Sequence, residues 1–131
     1  MIKIGKRPLT EVTNRVFRKE IFEIIKNFFI VHKNPILTMY EEFFTRGKYP
    51  RLIKTKIGVK IKLFSYGDLS TFNLVFCRQD YLADNKINTV LDIGSNIGIT
   101  ANYWLFKNPK VKIFCYEPSK KNFKRLIENT K

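Results

Sequence analysis

The chain has 131 residues, 44% of them apolar, and its 25 Lys and Arg against 11 Asp and Glu give a formal charge of +14. That length allows one domain at most, and the apolar share excludes a disordered chain. The charge favours anionic partners such as nucleic acid, lipid headgroups or acidic glycans, but the bases are dispersed, with no run of about five like charges, as on an ordinary solvated surface.

Cys77 and Cys115 are far apart and form no C-x-x-C, and His32 is the single histidine, so metal-ligand spacing is lacking. The thiols read as reduced, Cys115 as a small hydrophobe within a strand, and the expected setting is cytoplasmic. Residues 1–8 are basic, but no apolar signal region follows before Glu11. The most apolar window, Ile21 to Val31, is interrupted by Glu23, Lys26 and Asn27 and is too short to span a bilayer.

In chain order, Thr10 to Phe29 reads as an amphipathic helix. Val12, Val16, Ile21, Ile24, Ile25, Phe28 and Phe29 fall broadly on one side, with Arg15, Arg18, Lys19, Glu23 and Lys26 mostly opposite. Its bases and bulky apolar residues raise the reading of a membrane-surface anchor, but Glu20 and Glu23 interrupt the basic face, which favours ordinary packing. Asn34-Pro35 starts a second helix, whose apolar residues run from Ile36 to Phe44 and which Gly47 stops. Tyr49-Pro50 breaks the chain there, dividing a helical amino-terminal extension, 1–50, from a catalytic-type fold, 51–131. From Ile57 to Phe64 apolar residues alternate with Lys60 and Lys62, predicting a half-buried antiparallel strand with Ile53 and Thr55 in its partner. Tyr66-Gly67-Asp68 reads as a turn, with Asp68 capping a helix from Leu69 to Val75.

The organising stretch is Val90-Leu91-Asp92-Ile93-Gly94-Ser95-Asn96-Ile97-Gly98. Val90, Leu91 and Ile93 read as a buried parallel strand. Gly94 marks a sharp turn, and Gly98 the place where the following helix, through Thr100, Tyr103 and Leu105, presses against a neighbour. A strand, a tight turn and a helix start make a ligand cradle with free backbone N–H groups. The dinucleotide fingerprint fails because Asp92 stands where its first glycine belongs, and a phosphate loop fails because no Lys-Ser or Lys-Thr follows Gly98. An acid before G-x-x-x-G suits a ligand with a positive amino or sulfonium group and hydroxyls. Val111 to Tyr116 predicts a second parallel strand ending at Glu117-Pro118, and Glu117 stands where a nucleotide-binding βαβ unit places an acid on ribose hydroxyls. Ser119 would cap the next helix, with Phe123, Leu126 and Ile127 on its inner face.

These two motifs, Val90 to Gly98 and Phe114-Cys-Tyr-Glu-Pro-Ser-Lys-Lys-Asn-Phe123, resemble the start of a class I S-adenosylmethionine-dependent methyltransferase of the FkbM family. The resemblance covers roughly residues 53–131 and is closest after Val90; Ser95 stands where that family usually has Ala. It implies an α/β, Rossmann-like fold, here the parallel βαβα start of an incomplete sheet, preceded by a β-hairpin and a helical extension. The chain would then be the amino-terminal part of a longer enzyme. It further implies an S-adenosyl-L-methionine site at Asp92, Gly94, Ser95, Asn96, Ile97, Gly98, Glu117 and Pro118. Asp92 would take the ammonium, Gly94 to Gly98 the methionine portion and Glu117 the ribose, with Pro118 beside the adenine. The implied acceptor is a hydroxyl of a small molecule or glycan, with no specific nucleic-acid partner, and the implied catalytic base lies beyond Lys131. The competing reading is a non-enzymatic basic module for nucleic acid or an anionic surface, which lacks any recognition motif or aromatic-basic interleaving.

Overall fold

The computed structural model describes residues 3–4, 7–8, 19–41, 44, 47–81, 84 and 86–131. The chain is a mixed α/β protein. Short strands β1 (Lys3–Ile4) and β2 (Arg7–Pro8) pair antiparallel, followed by helices α1 (Lys19–Val31) and α2 (Pro35–Tyr40). An antiparallel hairpin joins β3 (Arg51–Lys54) to β4 (Lys60–Leu63), and α3 (Tyr66–Asn73) continues into a π-helical turn, Leu74–Arg78. The last unit is β5 (Thr89–Ile93), α4 (Ile99–Lys107), β6 (Lys112–Tyr116) and α5 (Lys120–Asn129). Residues 10–18 of the first expected helix lie outside the described residues, and α1 extends two residues beyond Phe29.

Each element starts where its local chemistry allows. Pro35 opens α2 at its first position, where a missing N–H costs nothing. The hairpin strand begins at Lys60 instead of Ile57, because Gly58 adopts φ +87° in the turn after Thr55. Beyond it the expected alternation holds: Ile61 and Leu63 are buried and Lys60 faces solvent. The cap of α3 is Ser65, whose hydroxyl accepts from the Asp68 N–H at 3.2 Å, so Asp68 is not the cap. Asp68 sits inside the first turn, and its carboxylate accepts from the Phe64 N–H at 2.8 Å. Ser119 caps α5 as expected, accepting from the Asn122 N–H.

The core lies between the inner hairpin face and the helices. Ile61, Leu63, Leu69, Phe72, Val75 and Phe76 meet Phe28 and Val31 of α1 and Ile97, Ile99 and Tyr103 from the end of the chain. Phe72 stacks on Phe76, whose ring meets Tyr103 edge-on at 5.3 Å. Core packing therefore crosses position 50, with α1 seated on the π-helical turn.

Strands β5 and β6 pair parallel in the register Asp92↔Cys115 and Ile93↔Tyr116. Val90, Asp92, Ile113 and Cys115 turn toward α4 and α5 and are half-buried. Leu91, Ile93, Phe114 and Tyr116 turn the other way and are 67, 73, 61 and 60% exposed. The expectation of a strand buried on both faces is corrected here. Both helices lie on one side of the pair, and no other described element covers the second face. The inner face of α5 is also looser than expected. Leu126 is buried, whereas Phe123 and Ile127 line an apolar cavity of about 350 Å³ with Leu105, Ile113 and Cys115.

His32 follows α1 as a buried link between the two parts of the chain. Its ring lies 4.3 Å from that of Phe28 and 5.6 Å from that of Phe72, and Nε2–H donates to Asn73 Oδ1 at 2.7 Å. Burial pushes its pKa below the usual 6.5; the Asn73 hydrogen bond opposes this, and the charge of Arg51 adds to it. The unfolded chain therefore binds the proton more readily than the folded one, and stability falls as pH drops from 6.5 toward the lower folded value. Denaturant unfolding along a pH series is expected to show this loss, with a slope of at most about 1.4 kcal/mol per pH unit. His32→Gln should flatten that part of the profile; an unchanged slope contradicts the assignment.

Candidate functional site

Parallel pairing brings both motif strands to the same edge. Because Ile93 faces Tyr116, the loop leaving β5 starts beside the residue where β6 ends. The Tyr116 carbonyl accepts from the N–H groups of Gly94 at 2.8 Å and Ser95 at 3.1 Å. The next N–H, that of Asn96, donates to Glu117 Oε2 at 2.8 Å, and the Ser119 N–H donates to Glu117 Oε1 at 2.9 Å. Glu117 thus latches the loop to the start of α5. The Gly98 N–H returns to the Ser95 carbonyl at 2.8 Å.

Part of the N–H cradle expected from the sequence is therefore already engaged. The amides of Gly94, Ser95, Asn96 and Gly98 are all used within the chain. Those four amides are not on offer to a phosphate, which needs several donors. The edge also presents acceptors. Glu117 receives one bond on each oxygen, and a carboxylate has about four acceptor positions. Asp92 Oδ2 accepts from the Thr100 hydroxyl at 2.6 Å, which fixes that side chain against the first turn of α4.

The expected site residues separate into two sets. Asp92 and Glu117 are half-buried, and Gly94, Asn96 and Pro118 are exposed around them. Ser95, Ile97 and Gly98 turn inward. Ser95 is buried and donates through its hydroxyl to the Asp92 carbonyl at 2.7 Å. Ile97 joins the hydrophobic core, and its carbonyl accepts from Asn129 Nδ2 at 2.8 Å. Cys115 lies beside Asp92 and Ser95. Burial raises its thiol pKa, the Ser95 hydrogen bond lowers it, and the Asp92 charge raises it further.

Two functional neighbours were not singled out in the sequence. Thr100 orients Asp92, and its one available signal was a hydroxyl in the first helical turn after the glycine loop. Asn129 is a clamp. Its side-chain oxygen accepts from the Lys62 N–H at 2.8 Å while Nδ2 donates to the carbonyls of Lys62 and Ile97, as a neighbouring strand would. One buried amide thus joins the hairpin, α5 and the loop. No signal local to Asn129 points across the 67 residues separating it from Lys62. Among the described residues, no group of three His, Cys, Asp or Glu could hold a metal ion.

Comparison with protein-family models, curated proteins and solved structures returned no match for the chain.

The two loop glycines differ in what a side chain would meet. Both have positive φ, +84° at Gly94 and +87° at Gly98, but a Cβ at Gly94 would enter open space. A Cβ at Gly98 would lie 2.9 Å from Leu126 Cδ1 and 3.3 Å from Thr130 Cγ2, the close approach expected from the sequence. Gly94→Ala should lose about 1 kcal/mol to backbone strain alone. Gly98→Ala should lose more, about 2–3 kcal/mol, because strain and overlap with α5 combine. Denaturant midpoints of the two variants give the order, and equal losses contradict this packing.

Proposed function

We propose that the β5–α4–β6 edge binds S-adenosyl-L-methionine and that the chain carries the cofactor-binding part of an FkbM-type methyltransferase with a Rossmann-like fold. The observation that carries this reading is the polarity of the edge. Four of its loop amides, those of Gly94, Ser95, Asn96 and Gly98, are engaged within the chain, while two carboxylates, Asp92 and Glu117, stand at the tips of adjacent parallel strands. An acceptor-rich edge complements a cationic, hydroxyl-bearing ligand, whereas a dinucleotide or nucleotide phosphate requires free donors. The donor set also fits the group part by part. Asp92 would accept from the ammonium, Gly94 leaves room for close approach, Glu117 would accept from the ribose hydroxyls, and exposed Pro118 would border the adenine.

The cofactor supplies an electron-poor methyl group on a sulfonium, so the leaving group needs little assistance. What these residues contribute is position. Thr100 holds Asp92, and the Asn96 and Ser119 N–H groups hold Glu117, so neither carboxylate needs to be ordered when ligand arrives. The acceptor in this proposal is a hydroxyl of a small molecule or glycan, which makes the reaction an O-methylation.

Calorimetry with S-adenosylhomocysteine and with adenosine tests the assignment. The parent chain should bind both. Asp92→Asn should weaken S-adenosylhomocysteine about tenfold and leave adenosine unchanged, while Glu117→Gln should weaken both by about tenfold. Absence of binding, or equal affinities across parent and variants, contradicts the proposal.

A further inference from the structure

Helix α1 has apolar residues on both sides. Phe28 and Val31 enter the core, while Phe22, Ile25, Phe29 and Ile30 remain 61, 45, 43 and 47% exposed. At about 100° per residue, Phe22, Lys26 and Phe29 share one stripe roughly opposite Phe28 and Val31. Helix α2 continues the pattern. None of its residues is buried, and Ile36, Leu37 and Tyr40 are 75, 53 and 53% exposed. Beside them an apolar groove of about 230 Å³ lies between α1, Met39 of α2 and the π-helical turn, with Ile25, Phe28, Leu74 and Arg78 in its walls. Scattered exposed apolar residues need no explanation, but a surface running across two successive helices marks an interaction site.

Charge selects the occupant. Lys26 lies within the stripe and exposed Lys33 lies between the helices. The one described acidic side chain of α1 is Glu23, 3.5 Å from Lys26. The chain as a whole carries +14, so a second copy would bring charge of the same sign to the contact. An anionic lipid surface brings the opposite sign and attracts the whole chain. It also accepts Phe and Ile side chains at the headgroup–acyl boundary, while lysine stems lie along apolar surface and their ammonium groups reach phosphate. Among the described residues no helix is long and apolar enough to cross a membrane, which leaves the interfacial geometry.

We infer that the α1–α2 face seats the protein on an anionic membrane surface, with Phe22, Phe29 and Ile36 inserted and Lys26 and Lys33 at the headgroups. The cofactor edge contributes none of these residues, so the two proposals stand or fall separately.

Cosedimentation of the full chain with vesicles tests it, comparing mixed phosphatidylglycerol and phosphatidylcholine with phosphatidylcholine alone. Binding to the mixed vesicles should be at least about tenfold tighter. A Phe22→Ser/Phe29→Ser double variant should lose about tenfold in affinity for them. Both positions face outward, so its circular dichroism should match the parent's, and Ile36→Ser on α2 provides a second reading if it does not. Phe114→Ser, on the exposed sheet face, should bind as the parent does. Failure of the parent to bind the mixed vesicles overturns the inference, as does unchanged binding by the folded double variant or an equal loss in Phe114→Ser. Concentration-dependent dimerisation abolished by the double variant would instead assign this face to a second copy and also overturn it.

Discussion

Three consecutive N–H groups, those of Gly94, Ser95 and Asn96, are taken by the end of the neighbouring strand: two by the Tyr116 carbonyl and the third by the Glu117 carboxylate. The geometry of the candidate edge depends on this arrangement. It follows from parallel pairing, which sets Ile93 beside Tyr116 and brings both strands to their carboxyl ends together. With these three donors engaged, the strand tips present the Asp92 and Glu117 carboxylates, and the proposed ligand class rests on those acceptors.

The loop is held from its other side as well. Gly98 lies against Leu126 and Thr130 so closely that a side chain there would overlap them. Asn129, from the last turn of the same helix, holds the Ile97 carbonyl and both backbone groups of Lys62. A buried amide that satisfies three backbone partners is costly to replace, because each partner would be left unpaired. The β-hairpin, the last helix and the glycine loop therefore act as one unit, and Asp92 and Glu117 are ordered before any ligand binds.

Much of this unit was legible in the sequence. The alternation of Ile61 and Leu63 with lysines specified the wet and dry faces of the hairpin, and Asp92-x-Gly-x-x-x-Gly with Glu117-Pro118 located the edge. Other features depended on groups distant in the chain. Leu91 and Ile93 read as buried because β-branched and leucine side chains in a row mark a two-sided strand, yet helices cover one face only. Ser65 and Asp68 are both capping residue types, and backbone geometry alone decides which one receives the helix N–H. The apolar residues expected on the second helix include Ile36, Leu37, Met39 and Tyr40, but none of them is buried. Amphipathic spacing identifies an apolar stripe without saying whether protein or something else covers it.

The most direct test of the central claim is an amide chemical-shift titration of the full chain with S-adenosylhomocysteine. The account requires one saturating site, with the largest shifts at Asp92 to Asn96 and Glu117 to Ser119, including the Asn96 amide that reports on the Glu117 latch. Shifts centred elsewhere, or a saturating site that leaves Asn96 and Ser119 unmoved, would contradict it.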